Sequence, residues 1–229
     1  MRYAHFIVIG LLTIMALPAL GASNYLGGIS GVIVTPDDRI VSSQSWDASY
    51  HDIFSHGEKH SDIQTVGLTF GLLPNLEVGA SYITDGTSRV VVNGKFKLVK
   101  ETAKTPGVTV GVFDAGGNLG NSDASFYGLL SKNLTSFASN VAGQPSKPVR
   151  MSLGWGSGFY KGIIANMDWT LAPRLSLLAE YKGSDGFVGL RNRPSLGFRW
   201  AATDSIRLDA AALGVRDIGL GLSYRASFH

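Results

Sequence analysis

From about residue 43 to the end of the chain, apolar and polar residues alternate with a period of two. Turn residues break the pattern every ten to fifteen positions or so. Side chains on a strand point to alternate faces, so this pattern specifies strands with one apolar and one polar side. The closing stretch, GLGLSYRASFH, shows it plainly. Leu220, Leu222, Tyr224, Ala226 and Phe228 fall on one face, and Gly221, Ser223, Arg225 and Ser227 on the other. The alternation predicts about twelve strands, near residues 43–52, 62–72, 75–84, 88–100, 107–114, 123–132, 149–157, 161–171, 174–183, 187–202, 205–213 and 217–228. LLPN, LAPR and AATDS supply short turns between alternating runs, which reads as an antiparallel meander. Asn133 to Val149 is the longest irregular piece, with room for a short helix.

Alternation alone does not say which face is buried. Size decides. About eight strands close around a lumen that side chains fill, whereas about twelve leave a cavity. An apolar lining around water is unfavourable, so the apolar face is placed outward against lipid and the polar face around a wet lumen. Closure also leaves no unpaired strand edge in hydrocarbon. Charged residues make up only 16% of the chain, against about 25% in soluble domains. The expected fold is therefore all-β, an antiparallel transmembrane barrel of the outer-membrane kind. Trp46, Trp155, Trp169 and Trp200 take the apolar parity. Trp46, Trp169 and Trp200 fall near one rim, and Tyr50, Tyr82 and Tyr181 nearer the other, as two interfacial girdles do.

The same parity turns Asp47, Glu77, Lys95, Lys97, Asp168, Glu180, Lys182, Arg199, Arg207, Asp209 and Arg225 inward. Two readings stay open: a salt-bridged lining that only solvates the interior, or a polar path for a hydrophilic solute. Ahead of the barrel, Arg2, the apolar run Phe6–Leu17, Pro18 and the small Gly21 and Ala22 have the form of a cleaved secretory signal. The expected organisation is a signal peptide over 1–22, a Gly-rich segment over 23–42 as candidate plug, and the barrel over 43–229, exported to a bacterial outer membrane.

Other chemistries find little support. Cysteine is absent and the net charge is +3, which argues against thiolate metal sites and nucleic-acid binding. HDIFSHGEKH gathers His51, His56 and His60 with Asp52 and Glu58, but at no standard metal-ligand spacing, and it is read as an exterior loop. DAGGNLGNSD lacks EF-hand spacing and is read as a hairpin loop. No G-x-S-x-G elbow occurs, and GWGSGFYKG does not fit a dinucleotide loop. No catalytic residues, metal or cofactors are assigned.

GGISGVIVTPDDRI, RMSLGWGSGFYKGIIANMDWTLAPRLSLLAEYKG and GFVGLRNRPSLGFRWAATDSIRLDAAAL occur in that order. Together they resemble the YjbH-type family of bacterial outer-membrane proteins. The resemblance is carried by Gly28, Gly31, Thr35 and Pro36, then Gly154, Gly156 and Gly158, then Ala179, Glu180 and Tyr181, then Gly189, Leu190 and Arg191. Where the family often has Asp after Glu-Tyr, this chain has Lys182. The resemblance implies a short-form, non-enzymatic barrel in exopolysaccharide biosynthesis or export. Its implied partners are outer-membrane lipid, the barrel-insertion machinery, polysaccharide and envelope export proteins. All four tryptophans face outward, so a glycan would be met by lumen charges rather than by indole platforms. A small general pore or structural barrel is the alternative, and an outer-membrane barrel hydrolase a second. Phe228 near the C-terminus is similar to the terminal aromatic read by the insertion machinery, although His229 follows it.

Overall fold

The computed structural model describes residues 22–56, 62–119, 123–135, 147–183, 194–214 and 216–228. The signal-like run over 1–21, Glu58 and His60 of the histidine cluster, and most of the irregular stretch 133–149 lie outside them. So do residues 187–193 of the tenth expected strand, with Gly189, Leu190 and Arg191. A short antiparallel pair, β1 (Ala22–Ser23) and β2 (Ser30–Gly31), precedes twelve longer strands. These are β3 (Ser45–Phe54), β4 (Ile63–Leu73), β5 (Leu76–Thr84), β6 (Ser88–Val99), β7 (Gly107–Phe113), β8 (Ser125–Asn133), β9 (Val149–Gly156), β10 (Gly162–Ala172), β11 (Leu175–Lys182), β12 (Ser195–Ala201), β13 (Ile206–Leu213) and β14 (Asp217–Ser227). They form one closed antiparallel barrel in sequence order, and β14 returns to β3 in register from Ser227↔Ser45 to Ile218↔Phe54. The register shifts in β4, β6 and β10 all fall at the end where β3 begins and β14 finishes, called here the near end. Bulges at a barrel rim let strands bend into their turns.

The outer wall is apolar along its length. Val66, Leu68, Val92, Leu130, Leu153, Leu196, Phe198, Leu208 and Leu222 all stand exposed on it. A soluble monomer rarely exposes an apolar patch beyond about 600 Å², so a whole wall of this kind requires lipid. Trp155 is 65% exposed, Trp169 and Trp200 also point outward, and the Trp46 ring packs 5.6 Å from Tyr224. Phe228 belongs to the same surface. Its amide donates to the Gln44 carbonyl (2.7 Å) and its ring stacks on Phe70 at 6.5 Å. Among the described residues no helix is long and apolar enough to cross a membrane; this chain crosses with strands.

The inner wall differs from the uniformly polar, wet lining expected from parity. Ile53, Ile63, Ile83, Val91, Phe113, Ile164 and Leu213 are inward and buried, all toward the far ends of their strands. Asp47, Glu77, Lys95, Asp168, Arg207 and Arg225 lie nearer the other end. The apolar layer is not facing water, because residues 23–38 occupy the lumen and are buried throughout. Tyr25, Leu26, Ile29, Val32, Ile33 and Val34 join the inward side chains in one buried cluster. From the far end a single 3-10 turn, Gly158–Tyr160, adds Phe159 and Tyr160, both packed against Phe113. This turn lies between the expected strands 149–157 and 161–171 and points into the barrel, with Gly158 at φ +55.

Candidate functional site: the filled lumen

The segment inside the barrel makes two reversals. In the first, the Asn24 carboxamide oxygen accepts the Leu26 amide (3.1 Å) and the Asn24 amide donates to the Ile29 carbonyl (3.0 Å). Gly27 and Gly28 stand there at φ +67 and +63, a region open mainly to glycine. A Cβ on Gly28 would lie 2.7 Å from the Ala80 backbone, so conformation and space both require glycine. In the second, the Val32 amide donates to the Thr35 carbonyl (3.0 Å), and Gly31 bridges to Pro36. The four positions that carry the family resemblance at this end, Gly28, Gly31, Thr35 and Pro36, are thus turn and contact residues of the segment.

Lumen charges hold these turns. Glu180 on β11 receives the amides of Val34 and Thr35 (both 2.8 Å), the Ile33 amide (3.2 Å) and the Thr35 hydroxyl (2.9 Å). Successive backbone N–H groups converging on one carboxylate form an anion nest. Glu77 on β5 accepts the amides of Ser30 and Val41, each at 2.8 Å. Lys95 on β6 is fully buried, 3.2 Å from Glu77 and 3.5 Å from Asp37, and donates to the carbonyls of Ser30 (2.9 Å) and Asp37 (3.0 Å). Arg199 on β12 clasps Asp209 through Nε (2.9 Å) and Nη2 (3.1 Å) and also donates to the carbonyls of Gly31 and Val32. Asp168 takes Arg39 at 2.6 Å, and Asn166 donates to Thr35 Oγ1 and the Pro36 carbonyl. Asp47 accepts the Ser23 hydroxyl (2.7 Å) and pairs with Arg225 (3.1 Å).

At the segment's outer end Asp37 pairs with Arg39, and Asp38 with Arg150 and, at 3.3 Å, with Lys97. Burial alone would raise the Asp37 carboxyl, but Arg39 and Lys95 outweigh it and hold it well below the usual carboxylate range. Asp38 is lowered in the same way, burial being outweighed by Arg150. Lys182 packs over the Phe159 ring at 4.2 Å and donates to its carbonyl. The eleven inward residues named from parity are all on the lumen side, and Lys97 is the most exposed of them. Arg207 differs from the rest in the acceptors it lacks.

Several lumen residues escape sequence reasoning. The clustering of histidines and acids puts His51 and Asp52 in an exterior loop, but β3 runs on to Phe54. His51 therefore points inward, fully buried, with its ring 4.7 Å from Tyr25. The alternation of β3 continues through residues 51–54, and that is the signal that places it. Among the described residues neither ring nitrogen of His51 has a hydrogen-bond partner. Among the described residues no group of His, Asp and Glu is arranged to hold a metal ion. Tyr127, Asn93 and Asn166 take the inward parity and are buried, but no charge marks them in the sequence. In the described part of DAGGNLGNSD, residues 114–119, the Asp114 carboxylate accepts the amides of Asn118 (2.8 Å) and Leu119 (2.6 Å).

No protein-family model matches the chain, and no curated protein matches it in sequence. Solved structures share its architecture. The KdgM porin superposes with a TM-score of 0.53 at 12% identity, covering 80% of this chain and 99% of that one. The NanC porin gives 0.49 at 8% identity, covering 80% and 100%. The outer membrane protein Omp33 of Acinetobacter baumannii gives 0.46 at 11%, covering 81% and 98%. At these identities the likeness to the KdgM porin shows the fold.

Proposed function

We propose that this chain is a non-enzymatic outer-membrane channel of small size, held closed by its own N-terminal segment. The observation that carries the reading is the match between segment and wall. Glu180, Glu77, Lys95 and Arg199 spend their hydrogen bonds on the backbone of residues 30–41, inside a barrel whose outer face suits lipid. A wall built only for solvation would not need ionisable groups aimed at the amides and carbonyls of a separate segment. The porin fold of its structural neighbour supports the channel class. The test is conductance in planar bilayers. Wild-type barrels should conduct little, and a variant lacking Asn24 to Arg39 should open a steady pore, with folding checked by heat-modifiable migration on gels. Unchanged conductance in a folded deletion variant would overturn the closed-channel reading.

The exopolysaccharide role rests on the resemblance to the YjbH-type family. One observation favours keeping it as a second reading: Gly28, Gly31, Thr35 and Pro36 are residues the lumen engages closely. A deletion strain separates the two. Lower secreted polysaccharide with unchanged small-solute uptake supports the export role, and the reverse supports a general pore.

A further inference from the structure

Arg207 is the second residue of β13, points into the lumen and is 3% exposed. Among the described residues it has no ion-pair or hydrogen-bond partner, and its Nη1 is fully buried without an acceptor. The carboxylates around it are taken. Asp209, two residues along the same face, is held by Arg199, and Asp47 by Arg225 and Ser23. Arg225 stands on the neighbouring strand, two residues from Ser223, the register partner of Arg207. Its Nε is also buried without an acceptor. Ser223 Oγ, between them on β14, is a third buried donor without a partner among the described residues. Asp47 pairs with Arg225 alone, so the Arg207 guanidinium is left without a carboxylate of its own among the described residues.

A buried charge without a partner is among the least favourable arrangements in a folded protein. Arginine forks in parallel suit the planar oxygen pairs of carboxylates and phosphates. We infer that Arg207, Arg225 and Ser223 form an anion-binding site in the near half of the lumen, for a carboxylate or phosphate group that is either free or carried on a larger solute. The site does not depend on conduction: a barrel that never opened would still bind at this place.

The test titrates the full-length folded barrel in detergent, by calorimetry at low ionic strength, with inorganic phosphate, acetate and a uronate monosaccharide. Saturable binding of one anion per barrel is expected, weakened at least tenfold in Arg207→Gln and retained in Arg174→Gln, whose arginine pairs with Asp204 at an exposed turn. Tighter binding of phosphate points to a free inorganic ligand, and tighter binding of the uronate than of acetate to an acidic solute. Arg207→Gln leaves the Asp47–Arg225 pair intact, so it carries the test even if Arg225→Gln does not fold. In anion-free buffer Arg207→Gln should unfold at a higher temperature than wild type, and saturating anion should close the gap. Absence of saturable binding with all three probes, equal binding in Arg207→Gln, or a lower unfolding temperature for that variant in anion-free buffer would each overturn the assignment.

Discussion

Glu180 on β11 and Arg207 on β13 face the same lumen two strands apart, and the protein treats them differently. Glu180 is met by three backbone amides and a hydroxyl of the segment. Arg207 meets no acceptor among the described residues. The difference follows from where the segment lies. Its second reversal, Gly31–Pro36, is pressed into the sector of β10, β11 and β12, where peptide groups serve as ligands for charges on the wall. In the sector of β13, β14 and β3 the segment offers Tyr25 and Ser23 instead, with one phenol and one hydroxyl between them. One sector is closed by protein, and the other keeps polar groups in reserve. A lumen of one composition can therefore be a lock on one side and a receptor on the other.

The largest way to break this contrast is Glu180→Gln. The amide keeps one acceptor oxygen and turns an NH₂ group toward converging N–H donors. Removing one member of a buried charged hydrogen-bond set typically costs about 3 kcal/mol. The segment should loosen while the barrel stays closed. Trypsin should then cut after Arg39 in the folded variant and spare the wild type, and single-channel recordings should show openings. Arg207→Gln, by contrast, should leave the segment resistant. If both variants are cut alike, the two sectors are not different in kind.

The outer half of this design is legible in the sequence. Period two from Ser45 to Ser227, with short turns at Pro74–Asn75 and Pro173–Arg174, follows directly from side-chain alternation, and it locates Trp155 and Trp200 on the lipid face. The inward charges follow from the same parity. What occupies the lumen does not. Tyr25, Ile29 and Ile33 carry no periodic mark, because the segment is neither helix nor long strand, and its partners lie far along the chain: Val34 to Glu180 spans 146 positions. Ile53, Ile83 and Ile164 break the polar character of the inner face, yet singly, one near each strand end. Their meaning appears only when closure places them in a single layer. His51 reads as loop because histidines and acids cluster there, although the alternation of β3 continues through it.

A sharper test of the segment's fit uses glycines that differ only in the face they occupy. Gly67 on β4 faces inward, and a Cβ there would lie 2.5 Å from the Gly28 amide nitrogen and 2.6 Å from the Gly27 Cα. Both neighbours are backbone of a turn at positive φ, so neither can yield as a flexible side chain would. Overpacking of this kind costs roughly 1–3 kcal/mol. Gly67→Ala should lower the temperature at which the barrel loses its compact gel migration, and it should increase channel openings.

Gly128 on β8 sits at the opposite extreme: a Cβ added there, on the outer face, would have nothing within 4 Å. Alanine at this position meets lipid rather than protein. It also removes the backbone freedom that makes glycine unfavourable in a strand, worth about 0.5–1 kcal/mol. Gly128→Ala should therefore raise the same transition slightly and leave channel openings unchanged. Two identical substitutions would then shift stability in opposite directions and differ in their effect on conductance. Equal losses at both positions would mean that these strands tolerate no added methyl group on either face, and the inward contact with Gly27 and Gly28 would lose its special standing.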